Sequence, residues 1–113
     1  MNECQERMKI MAIAVFEKNG TTLNVQLLAD RLDSLHAPQL EQELKPYMND
    51  TQLIVMDFSG VVYVCSAAFR VLMWLEQTLE QRGGEVQVIR ASESVLKIFE
   101  LVGFMNVVHV IRD

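Results

Sequence analysis

A chain of 113 residues, half of them hydrophobic and 22% charged, has the make-up of one globular domain large enough for a real core. A net charge of −5 with no Lys/Arg cluster argues against sequence-independent nucleic-acid binding, which needs a basic stripe, and favours a protein partner or small ligand. No apolar run approaches the ~20 residues that span a bilayer, so no membrane insertion is expected.

Cys4 and Cys65 are too few and too irregularly placed for a disulfide framework or metal site; both are expected to be reduced. No cofactor and no metal is implied. Residues 1–9 are polar and mixed in charge, unlike a signal peptide, and read as a frayed lead-in. This places a lead-in at 1–10 and a single domain at 11–113.

A first strand is predicted over 11–18, with Ile13 and Val15 flanked by Ala and Phe. Asn19-Gly20 is the strongest hairpin signal, because both residues tolerate positive φ. The return strand, 22–28, sets Leu23, Val25 and Leu27 on one face. Residues 29–33 read as a loop, after which Ser34 offers a side-chain cap to a helix with Pro38 in its first turn. Leu40, Leu44 and Tyr47 follow at helical spacing, and Pro46 ends or kinks the pattern.

The organising stretch is 53–82. Leu53 to Phe58 is apolar except for Asp57, which suits a strand buried on both faces of a sheet. Ser59-Gly60 breaks it, Val61 to Val64 continue in β-favouring residues, and helical spacing takes over near Cys65 and Ser66. A helix start at a sheet edge presents free N–H groups and a positive dipole end, a natural seat for an anion. On this helix Ala68, Leu72, Leu75 and Leu79 share the core side, with Phe69 and Met73 on one flank and Trp74 on another. Gly83-Gly84 stops the helix. A strand over 85–89, a helix capped by Ser92 and closed by Gly103, and a last strand over 107–111 complete the chain.

The segment Asp57-Phe58-Ser59-Gly60-Val61-Val62-Tyr63-Val64-Cys65-Ser66-Ala67-Ala68-Phe69-Arg70-Val71-Leu72 resembles the signature of STAS domains, the family of bacterial anti-sigma factor antagonists. In that family a strand leads to a D-S-S-G or S-S-A-G turn and then a helix. The resemblance sets Cys65 at the Asp of D-S-S-G, Ser66 at the first Ser, Ala67 at the phospho-acceptor and Ala68 at the Gly. Arg31-Leu32-Asp33 is similar to the family's G-x-L-D loop, with Asp30 in place of Gly. The likeness runs over about 12–111. It implies an α/β fold: a STAS-like mixed sheet with helices packed on it, in the order ββαβαβαβ. It also implies a cytoplasmic, non-enzymatic module that binds an anti-sigma factor/serine kinase-like protein and so releases a sigma factor.

The partner-binding surface expected from it comprises Asp33, Ser34, His36, Val64, Cys65, Ser66, Ala67, Phe69, Arg70 and Met73. Ala67 has no hydroxyl, which leaves Ser66 as the candidate phospho-acceptor; helix N-cap is its ordinary structural role. Asp33 is either an acidic recognition residue or a solvated cap. Asp57 is expected to support the loop beyond the strand. Cys65 at a helix start invites a thiolate reading, but neither His36 nor His109 forms a recognisable dyad with it, so no catalysis is expected. Phe69 and Met73 are candidates for an apolar partner patch, while Trp74 suits burial against the third helix. Some STAS domains belong to lipid or anion transporter assemblies, which gives the alternative: a subunit of a membrane transport complex.

Overall fold

The structure is a computed structural model and describes residues 13–111; the lead-in at 1–10 and the first residues of the predicted strand lie outside them. β1 (Ala14–Asn19) and β2 (Thr22–Leu27) form the expected hairpin, with Ala14 opposite Leu27 and Asn19 opposite Thr22. Gly20 makes the turn at φ 63°, a conformation that costs glycine little.

The chain continues through β3 (Arg31–Leu32), α1 (His36–Leu44), β4 (Leu53–Asp57), β5 (Tyr63–Val64), α2 (Ser66–Glu80), β6 (Glu85–Ile89), α3 (Glu93–Leu101) and β7 (His109–Ile111). The main sheet runs β1-β2-β4-β6-β7; only the hairpin pair is antiparallel. The predicted ββαβαβαβ order is therefore present, with β3 and β5 added as a separate two-stranded parallel sheet.

The three crossovers advance in one direction across the sheet, and the right-handed connection that parallel strands take then sends α1, α2 and α3 over the same face. That face buries Leu23 and Val25, Ile54 and Met56, Val86 and Val88 against Leu40, Leu72, Leu75, Leu79 and Phe99. Burying one such side chain stabilises by roughly 1.5–3 kcal/mol. A one-residue slip would turn a strand's whole apolar set outward, so this packing fixes the register.

Several expectations need correction. β4 is buried on one face only: Ile54 and Met56 are covered, whereas Leu53, Val55 and Asp57 are partly exposed. The loop over 29–33 contains β3. Ser34 does not cap α1, whose first amides are taken by Asp33 instead. The last strand is shorter than 107–111, because Phe104–Asn106 form a 3-10 turn first.

α2 stops where the glycines said it would. The Gly84 amide bonds the Leu79 carbonyl at 2.8 Å and the Gly83 amide that of Glu80 at 3.0 Å, with Gly83 at φ 75°; this is a Schellman ending. Pro46, in the 3-10 turn Lys45–Tyr47, ends α1 because it offers no N–H to continue it.

Candidate partner-binding site

The two-residue strands build the site. β3 pairs with β5 in parallel, Arg31 opposite Tyr63 and Leu32 opposite Val64. The Val62 amide bonds the Asp30 carbonyl at 2.8 Å, and the Cys65 amide bonds that of Leu32 at 3.0 Å. Leu32 and Val64 point inward and are buried, so the ladder is nailed to the core. The residues that follow each strand, Asp33 on one side and Cys65-Ser66 on the other, emerge side by side. Two segments over 30 residues apart in the chain thus share one surface.

Asp33 organises its half. Its Oδ1 accepts the amides of Leu35 and His36, both at 3.0 Å, and meets His36 Nδ1 at 2.7 Å. Its carbonyl accepts the Ala37 amide at 2.9 Å. The His36 amide above all holds the Asp33 carboxyl below its ordinary value; burial opposes it, and the His36 side chain and the Leu35 amide add to the lowering. Asp33 therefore caps the turn that leads into α1 with an anion, two residues before Leu35 at the helix start, and its charge is already engaged.

On the other half, Cys65 is the N-cap residue of α2, extended at φ −101°, ψ 176° with no side-chain cap bond. Ser66 is the first helical residue, one position inside the cap it was expected to be, and it is exposed. Its hydroxyl makes no hydrogen bond to the described residues, and the Ser66 and Ala67 amides lack intrahelical acceptors, whereas the Ala68 and Phe69 amides bond the Cys65 carbonyl at 3.1 and 3.2 Å. Ala67 is half-buried, and Arg70 is exposed one turn further on. A groove of about 190 Å3 between α1 and α2 is lined by Ala37, Pro38, Glu41, Ala67, Arg70 and Val71, so the side chain at the acceptor position lies in a groove wall.

Most of the expected surface residues are brought together, with exceptions. Val64 is 2% exposed and packs in the core, so its side chain has no face to offer a partner. Phe69 is half-buried among aromatic rings, 4.8 Å from Phe104 and 5.5 Å from Phe99. Here it is Phe69 that packs on α3, the role expected for Trp74; Trp74 is partly buried against the core. Met73 and Ser34 are exposed. Asp57 stands apart at the end of β4, where Oδ1 accepts the Ser59 amide at 2.9 Å and Oδ2 pairs with Arg90 at 2.9 Å.

Sequence reasoning missed the apolar rim. Leu35 is 82% exposed beside the Asp33 cap, and Val62, just before β5, and Tyr63 in it are exposed, with the Arg31 guanidinium 5.9 Å from the Tyr63 ring centre. Leu35 sits in no periodic stripe, so only its place in the turn exposes it.

A family model described as Mlab, STAS domain matches residues 15–111. BtrV of Bordetella bronchiseptica, assigned as an anti-sigma factor antagonist, is 30% identical over 77 residues, 67% of this chain and 66% of that protein; the chain spans just under two thirds of this relative's length. The anti-sigma factor antagonist SpoIIAA of Bacillus, in its unphosphorylated form, superposes with a TM-score of 0.75 at 16% identity, over 88% of this chain and 89% of its own. The murine anion transporter Slc26a9 carries the same fold in 16% of its chain, with a TM-score of 0.66 at 15% identity over 83% of this one. The family match takes in the hairpin, the β3–β5 ladder and all three helices described above: the chain belongs to the STAS-domain family.

Proposed function

We propose that this chain is a regulatory protein-binding module, an anti-sigma factor antagonist that binds an anti-sigma factor/serine kinase-like protein and so releases a sigma factor. The reading is supported above all by the β3–β5 ladder, which sets the Asp33–His36 turn and the start of α2 on one surface. Ser34, Leu35, Tyr63, Ser66, Arg70 and Met73, in or near these segments, are exposed. Such a mixed polar and apolar patch suits a protein partner.

With Ala67 at the usual acceptor position, binding is not switched there. Ser66 is the hydroxyl available for modification. A phosphate on it would face the first-turn amides of α2 and, one turn on, Arg70, while adding close to two negative charges to the contact surface.

The test is capture from the native cytoplasm with wild type and Ser66→Asp, read by mass spectrometry. Wild type is expected to recover a kinase-like anti-sigma factor, and Ser66→Asp at least about ten-fold less, which corresponds to a loss of about 1.4 kcal/mol. Equal recovery by both keeps the binding role and retires the switch. A permease or transporter ATPase in its place would make the chain a subunit of a transport complex. Phosphate found only on Ser59 or Ser92 after treatment with the captured kinase would overturn the site.

A further inference from the structure

β6 ends at Ile89, and the residue after it departs from the strand in an unusual way. Among the described residues Arg90 is the one residue with a Cβ that has positive φ, 58°; Gly20, Gly83 and Gly103 are the others in that region. A Cβ crowds this left-handed conformation, so a residue such as arginine stays there where its surroundings hold it. Strand alternation shows what the conformation achieves. Val88 faces the helices and Ile89 the other side of the sheet, so an extended residue 90 would point back under the helices. The left-handed backbone keeps Arg90 on the side of Ile89, Val55 and Asp57 instead, where its Nη1 donates to Asp57 Oδ2 at 2.9 Å.

Asp57 carries this hold onward. It lies opposite Ile89 in the β4–β6 register, and the next amide, that of Phe58, bonds the Ile89 carbonyl at 2.9 Å. Its other oxygen, Oδ1, accepts the Ser59 amide at 2.9 Å. The turn that begins there closes with a bond of 2.9 Å from the Val61 amide to the Phe58 carbonyl. Phe58 and Val61 are fully buried, with the Phe58 ring edge-on to Phe99 at 6.0 Å, whereas Ser59 and Gly60 between them are exposed. The Asp57 carboxylate thus steadies the exposed tip of the turn. One residue on, the Val62 amide enters the β3–β5 ladder at the Asp30 carbonyl, and the Cys65 amide closes it at that of Leu32.

We propose that Arg90 is a positioning residue for the partner-binding surface. From the end of β6 it fixes the Asp57 carboxylate, through that the Ser59 turn, and so the ladder that sets the Asp33–His36 turn beside the start of α2. This role rests on the reading of that surface as the one a partner meets. An exposed ion pair adds little to overall stability, so what this pair contributes is local order.

The experiment is amide hydrogen exchange followed by NMR in the full chain, on wild type, Arg90→Gly and Arg90→Lys. Glycine takes φ 58° freely, so Arg90→Gly removes the guanidinium and relieves the backbone together. The Val62 and Cys65 amides, which hold the ladder, are expected to exchange about five-fold faster in this variant. The Leu72 and Leu75 amides, buried in the middle of α2, report opening of the whole domain and should stay within about two-fold of wild type. Arg90→Lys keeps a cation within reach of Asp57 and should recover most of the protection. A merely structural role would speed all four amides by one factor. That result would overturn the proposal, as would unchanged exchange at Val62 and Cys65 in Arg90→Gly, or an Arg90→Lys as fast as Arg90→Gly. Capture from the native cytoplasm tests the reading of the surface separately. Arg90→Gly should recover the kinase-like anti-sigma factor about five-fold less than wild type, and equal recovery would overturn the positioning role. If wild type captures no such partner while the exchange rates change as expected, the reading fails and the positioning of that surface by Arg90 stands.

Discussion

Asp33 carries both a charge and a cap, and the two separate by substitution. Oδ1 accepts two amides that α1 would otherwise leave unsatisfied, and Asn presents an equivalent oxygen in the same place. Asp33→Asn is therefore expected to keep the melting temperature within about two degrees, since Asn and Asp cap about equally well. Asp33→Ala is expected to lower it by several degrees, because both amides lose their acceptor. Thermal unfolding of the three proteins followed by circular dichroism checks this; equal losses for both variants would mean that the charge, not the cap, holds the turn. The pair then serves the partner question. A partner that reads the carboxylate discriminates against Asp33→Asn while the fold stays intact.

At the scale of elements, the end of α2 makes a sharper claim than glycine content alone. Gly83 holds φ 75° with open space where a Cβ would go, so Gly83→Ala costs only the left-handed conformation, about 1 kcal/mol. Gly84 has ordinary φ, but a Cβ there would lie 2.0 Å from the Gln52 carbonyl oxygen, which also accepts the Glu85 amide at 3.0 Å. The backbone before β4 would have to move, which costs about 1–3 kcal/mol or more. Urea unfolding should rank Gly84→Ala below Gly83→Ala, and the reverse order would refute this account of the stop. Both glycines were plain in the sequence as a stop; which one was irreplaceable was not, because the constraint comes from Gln52, over 30 residues away.

The same division holds elsewhere. β6 and the hairpin were legible because period-two alternation and Asn-Gly are local signals. β3 and β5 were not, since two residues carry no period and their pairing is long-range. The signature residues located the site, yet the sequence set Ser34 rather than Asp33 at the cap and left Val64 on the surface. Both errors come from reading a turn without its neighbour. β4 was read as buried on both faces because Leu53, Val55 and Ile54 look alike in a run. Only the common side of the three crossovers tells them apart.

The acid response of the whole molecule is set by carboxyls pulled in opposite directions. Asp33, Asp50 and Glu85 are held below their ordinary values, chiefly by the His36 amide, the Lys18 ammonium and the Gln87 side-chain amide respectively. Each contributes stability above its unfolded value near pH 4 that is lost as the pH falls through the folded one. Glu76 runs the other way. Its carboxylate lies in a cavity of about 420 Å3 with Glu80, Glu85 and His109, and burial, with repulsion from Glu80 and Glu85, raises it despite the Val86 amide that donates to Oε1 at 3.1 Å. A raised carboxyl favours the fold most below its unfolded value, about 4.3, and that contribution is lost as the pH rises through the folded value. Glu76→Gln removes the charge and keeps an oxygen for the Val86 amide. Its melting temperature should match wild type near pH 4 and exceed it by a few degrees at pH 7, the gap opening as the pH rises. A variant whose deficit grows as the pH rises would show instead that the ionised acceptor at Val86 outweighs its desolvation, and that the acidic side of this cavity steadies β6.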